Sequence, residues 1–186
     1  MPSSAFETAI LTTALYGVML IVINMFSVVS QWVFIDSVKI RLNEVANQVA
    51  YEIADIYSMC VQSRGELSFF KLIEIPVSIS EQGYAIELKK TGEIWYVVVY
   101  LEANRAINAS SPIWEDPGVA VRVGPRPVDG DSFTIIRNHG SYTVYYVKEG
   151  EALHSGVSKP VVWACRYVSG GRVEIGVGLG WLVVGG

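Results

Sequence analysis

Two histidines, two cysteines and a few short acidic, glycine and serine patterns are the residues of this 186-residue chain whose types could do chemistry. His139 and His154 each sit in a Gly- or Ser-containing stretch with no Cys, Asp or Glu at metal-ligand spacing, so both read as loop residues rather than ligands. Asp129-Gly130-Asp131 resembles a fragment of a calcium loop, but the remaining oxygen ligands and the closing glutamate are missing, which leaves a turn. Gly176, Gly178 and Gly180 form a GxGxG string, yet no helix N-terminus follows to hold a phosphate. Those glycines are expected to let a strand bend or another backbone come close. No serine lies in a GxSxG elbow, and the pair Glu115-Asp116 falls in a proline-flanked loop where both carboxylates are solvated. These patterns call for no enzyme, no metal and no cofactor.

Cys60 and Cys165 admit two readings. A disulfide between them would tie the foot of an N-terminal helix to a late strand and would fit an extracellular location. Two buried thiols behaving as small hydrophobes is the other. Asn108-Ala109-Ser110 is an N-glycosylation acceptor, placed by the sequence in a long polar loop where a glycan can be accommodated.

The elements that position these residues fall into two parts, 1–62 and 63–186. From Thr8 to Ile35 the chain runs twenty-eight residues without a charge, longer than the roughly 20 apolar residues that cross a bilayer. Beyond it, Val38, Leu42, Val45, Val49, Ile53, Ile56 and Cys60 recur at steps of three and four, a one-sided helical stripe over 36–60. No proline lies between Ser3 and Cys60, and Gly17 is the one glycine there. One long helix is expected, membrane-spanning or filament-forming over 8–35 and amphipathic over 36–60. Gly65 marks its exit.

The period then changes from 3.6 to 2. Leu67 to Ile75, Tyr84 to Lys89, Glu93 to Leu101, Val119 to Val123, Ser132 to Arg137, Ser141 to Val147, Pro160 to Val168 and Arg172 to Val184 read as strands bounded by Gly, Pro and Asn turns. About eight strands without a second helix imply an α+β chain: one long N-terminal helix followed by an antiparallel β-sandwich-like domain. A net charge of −4 gives no electrostatic case for nucleic acid.

The span 8–35 must be covered by lipid or by copies of itself. Its Thr12, Thr13, Gly17, Asn24, Ser27, Ser30 and Gln31 suit close helix packing with side-chain hydrogen bonds. This layout resembles the archaeal type IV pilin superfamily of adhesion pilins, archaellins and flagellin-like proteins. Glu7, just before the apolar run, matches the acidic residue that many type IV pilins carry after their cleavage site. The passages RLNEVANQVAYEIADIY and IEIPVSISEQGYAIELKK are similar to the helix-to-strand pattern of the flagellin-like members. The Lys- or Arg-rich leader of the family's precursors is not part of the sequence, so the chain is expected to be processed, or started inside that leader, or an unprocessed membrane relative, and the filament reading takes one of the first two.

The resemblance implies a structural subunit of an extracellular cell-surface filament, membrane-anchored as a precursor. Copies of the chain would then bundle through the helix with the β domain outward, and Glu7, Thr12, Gly17, Asn24 and Ser27 would be the residues of assembly. The alternative it leaves open is a non-polymerising, membrane-anchored accessory protein, a minor pilin or an archaellum stator-like β-sandwich.

Overall fold

The computed structural model describes residues 3–65, 67–113, 120–123, 132–137, 140–148, 150–169 and 172–185. The expected features at Glu115-Asp116, Asp129-Gly130-Asp131 and His139 lie outside them. The chain is α+β, with one helix followed by two sheets. It divides into two compact units, Met1–Val38 and Lys39–Gly186. That boundary falls inside the helix rather than at residue 62, because the amphipathic half buries its stripe and the uncharged half does not.

Helix α1 spans Ser3–Gln62 without interruption. Every residue of the expected stripe, Val38, Leu42, Val45, Val49, Ile53, Ile56 and Cys60, is buried. Two polar attachments join this half of α1 to the segment that follows. Lys71 Nζ lies 2.6 Å from Glu52 Oε2 and 2.9 Å from Asp55 Oδ2, and Gln48 Nε2 donates to the Glu74 carbonyl at 2.9 Å. At the exit, Ser63 Oγ donates to the Met59 carbonyl at 2.7 Å, and Gly65 takes a φ of 88° that a side chain would resist.

The strands are β1 (Leu67–Leu72), β2 (Tyr84–Thr91), β3 (Ile94–Leu101), β4 (Asn108–Ile113), β5 (Ala120–Val123), β6 (Ser132–Arg137), β7 (Gly140–Tyr146), β8 (Ala152–His154), β9 (Pro160–Ser169) and β10 (Arg172–Gly185). A six-stranded sheet runs β1-β9-β10-β7-β6 with β5 also on β10, and a four-stranded sheet runs β4-β3-β2-β8. β10 serves three neighbours. β9 lies antiparallel along one edge, while β5 (opposite Glu174 to Val177) and β7 (opposite Gly180 to Gly185) divide the other.

The β5 pairing is parallel, a departure from the all-antiparallel expectation. The long chain between β5 and β10 supplies the crossover that parallel neighbours require. β4 and β8 were not expected as strands. β4 reads NASSPI, too polar and proline-containing to show period 2, and β8 has three residues. Each is recruited by pairing with an apolar neighbour, β3 and β2 respectively.

Within the larger sheet, Gly176, Gly178 and Gly180 stand opposite Cys165, Trp163 and Val161. The Trp163 ring lies over Gly178, its Nε1 donating to the Leu179 carbonyl at 2.9 Å. Around it Val144, Tyr146, Val161, Cys165 and Leu182 form a core cluster flanked by Phe70 and Tyr142. The Tyr146 and Trp163 ring centroids are 4.5 Å apart. In the smaller sheet Trp95, Val97, Val99 and Leu101 alternate along β3 as buried residues, and Gly92, at a φ of 65°, turns β2 into β3.

Candidate assembly helix and a cavity in the β domain

All residues from Phe6 to Phe34 are exposed, among them Leu11, Leu15, Ile21, Phe26 and Trp32. From Thr8 on, this half of α1 is uncharged and mostly apolar, with one stripe of small and polar residues, and a helix of that kind is stable only in a covered environment. By length and composition it can cross a membrane.

The helix fixes where the expected assembly residues fall. Thr13, Gly17, Leu20, Asn24, Ser27 and Gln31 follow one another at steps of four and three, so they form a single stripe along the helix. Gly17, Asn24 and Ser27 are therefore brought together, while Glu7 and Thr12 lie on other faces. Apart from the helix's own neighbouring backbone, no atom lies within 4 Å of where a Cβ on Gly17 would stand, so the stripe has an open notch at that point. Because α1 begins at Ser3, Glu7 sits beyond the first turn, where the macrodipole acts less on a carboxylate.

The polar side chains of the span are partly satisfied within the helix itself. Thr12 Oγ1 donates to the Thr8 carbonyl, Thr13 Oγ1 to the Ala9 carbonyl at 2.8 Å, and Asn24 Nδ2 to the Leu20 carbonyl at 2.8 Å. Such bonds to the carbonyl four residues back lower the cost of holding hydroxyl and amide groups in an apolar medium. The amide oxygen of Asn24 is not used by its bond and remains able to accept from a neighbour.

In the β domain Asn108 opens strand β4 rather than sitting in a loop. Asn108 and Ser110 are both exposed on one face of that strand, with Ala109 between them. Asn108 Nδ2 donates to the Arg105 carbonyl at 2.9 Å, closing the preceding turn. The candidate Cys60–Cys165 bridge is not formed, and both residues are buried thiols. Burial pushes the Cys60 thiol up to about 12, and Cys165 adds to the rise, which suppresses the thiolate that oxidation requires. His154 ends β8, and its Nδ1 pairs with Glu102 Oε1. Gly83 leaves room for that carboxylate: a Cβ there would stand 2.8 Å from Glu102 Oε2. Among the described residues no group of three or more His, Cys, Asp or Glu is placed to hold a metal.

A cavity of about 610 Å³ in the β domain was not legible in the sequence. Glu87, Tyr100 and His154 line it from one face of the four-stranded sheet, because Ala85, one position along β2's alternation from Glu87, pairs with both Tyr100 and His154. Arg105, Glu151 and Trp181 line it from the surrounding turns and from β10. The signal available in the sequence is the polar Glu87 between Ile86 and Leu88 on β2.

Comparison with family models, curated proteins and solved structures finds no match to the chain.

Proposed function

We propose that this chain is a structural subunit of an extracellular filament of the archaeal type IV pilin kind, inserted in the membrane before assembly and bundled through α1 in the filament. One observation carries the reading. A single unbroken helix is exposed from Phe6 to Phe34, uncharged and mostly apolar from Thr8 on, then buries a one-sided stripe from Val38 to Cys60. The first half needs a cover that its own unit does not supply, and the resemblance to pilins names that cover as copies of itself. Contacts that repeat head to tail without closing into a ring give an open filament. Burial of the apolar span supplies the drive once it leaves lipid.

In such a bundle the Glu7 carboxylate requires a partner, and the N-terminal amine of a neighbouring subunit is one of suitable charge. Glu7→Ala is expected to leave membrane insertion unchanged and to reduce the chain recovered in sheared surface filaments. Wild-type recovery would remove Glu7 from assembly. A filament core that electron microscopy traces without this helix would overturn the reading itself.

A second reading is favoured by the back-bonded Thr12, Thr13 and Asn24, which suit a helix that stays in lipid. The chain would then be a non-polymerising, membrane-anchored accessory protein. Fractionation separates the two, since that protein appears in detergent extracts and not in sheared material.

A further inference from the structure

We propose that the cavity beside β2, β3 and β8 is a binding site for a neutral saccharide. The inference stands on the β domain alone and does not rest on the filament reading.

The lining contains two kinds of surface. Tyr100 and Trp181 contribute aromatic rings, and Glu87, Arg105, Glu151 and His154 contribute charged or ionisable groups. The rings are held in place. Trp181 stacks on Tyr145 at 5.7 Å with planes 12° apart, and the Arg105 guanidinium lies 4.9 Å from the centre of the Tyr100 ring. Three of the polar groups are also fixed. Glu151 Oε2 accepts from the Lys148 backbone N–H at 3.3 Å, His154 is held by Glu102, and Arg105 by its stacking on Tyr100.

Glu87 and Arg105 decide the ligand class. Among the described residues neither side chain has an ion pair with an opposite charge, although both line the same cavity. An acceptor-only carboxylate and a donor-only guanidinium on one cavity wall call for a ligand that donates at one place and accepts at another. A simple cation is opposed by Arg105, a simple anion by Glu87 and Glu151, and a purely apolar molecule would strip water from all of them without return. A pyranose fits: its hydroxyls donate and accept, and its C–H face lies against the half-buried Trp181 ring, while Tyr100 is buried and backs Arg105. The cavity is within the roughly 300–1,000 Å³ of small-molecule sites.

The sugar could arrive from another surface or from a glycan on Asn108, which stands directly opposite Tyr100 in the β3–β4 register. The test is saturation-transfer NMR on the full chain in detergent micelles, with methyl glycosides of glucose, galactose and mannose as probes. Tetramethylammonium and glucuronate serve as charged comparisons. Saturable transfer to at least one hexoside, weakened about tenfold in Glu87→Gln and in Arg105→Gln, is the expected result, that being the loss when one charge-assisted hydrogen bond is removed. Both substitutions are at polar, incompletely buried positions, and unchanged unfolding midpoints would show that the variants fold. Transfer in wild type and Asn108→Gln alike assigns the site to a foreign saccharide. Transfer that emerges only in Asn108→Gln assigns it to the chain's own glycan. The proposal is overturned by no transfer to any hexoside in either protein, by equal affinity in the Gln variants, or by preference for either charged probe.

Discussion

Gly178 shows how a motif that looks functional in sequence can be a packing device. A Cβ there would stand 2.5 Å from Trp163 Cζ2, and one on Gly180 would stand 2.2 Å from the Tyr145 carbonyl oxygen. The glycine string exists because a tryptophan ring and a neighbouring backbone occupy the volume that side chains would take. Sequence reasoning named the close approach but could not name Trp163, since the partner lies in another strand. Gly178→Ala is expected to cost about 1–3 kcal/mol, the usual range for overpacking a core, read as a lower denaturant midpoint.

Two buried ionisable groups set an alkaline limit. Burial raises Cys60 from an ordinary value of 9.0 to about 12, and burial likewise raises Tyr84 from 10.0 to about 12. Both are neutral when protonated, so above its ordinary value the unfolded chain releases a proton that the folded chain keeps. Stability from these groups is therefore complete below about pH 9 and is lost as the pH climbs toward 12. The denaturation midpoint should be flat below that window and fall within it. Cys60→Ala and Tyr84→Phe should each make the fall shallower, and an unchanged slope in both would refute the assignment.

At the scale of elements, the clearest strain lies in the tight turn between Ile79 and Gln82. Ser80 and Glu81 take φ values of 50° and 64°, while Ile79 and Gln82 exchange backbone hydrogen bonds of 2.9 and 3.0 Å. Two successive positive angles define a turn that prefers Asn-Gly. Replacing Ser80-Glu81 with Asn-Gly should stabilise the domain by about 1 kcal/mol, visible as a higher midpoint. This turn was hidden in the sequence because neither residue advertises a left-handed backbone.

Helix α1 was legible throughout, since its charge gap and its three-four stripe are local patterns. The strands β4 and β8 were not, because pairing rather than local preference makes them. Gly17 offers a test at this scale. Gly17→Ala should leave the isolated chain at least as helical, given alanine's propensity, whereas under the proposed filament assembly Gly17→Leu should lower filament yield by filling the notch. Equal yield in the leucine variant would take Gly17 out of the packing face.

For the whole molecule, the α+β architecture followed from composition and period, while the arrangement of strands within the sheets did not. A parallel β5–β10 pair and a β10 strand shared among three partners depend on long-range register that no local window contains. The cavity escaped for the same reason, since β2, β3, β8 and β10 supply its walls.

That register also orders events during synthesis. Leu67 of β1 pairs with Arg166 of β9, so a strand made early has to wait for one made nearly a hundred residues later. At roughly 5–20 residues per second the wait lasts several seconds or more. Throughout it, the apolar first half of α1 is already clear of the ribosome. Membrane targeting can thus be complete before the β domain has the strands to fold. A chain stopped at residue 159 should resist alkaline extraction from membranes yet have a protease-sensitive remainder, and the full chain should resist both. The β domain completes its fold only after the apolar half of α1 has emerged.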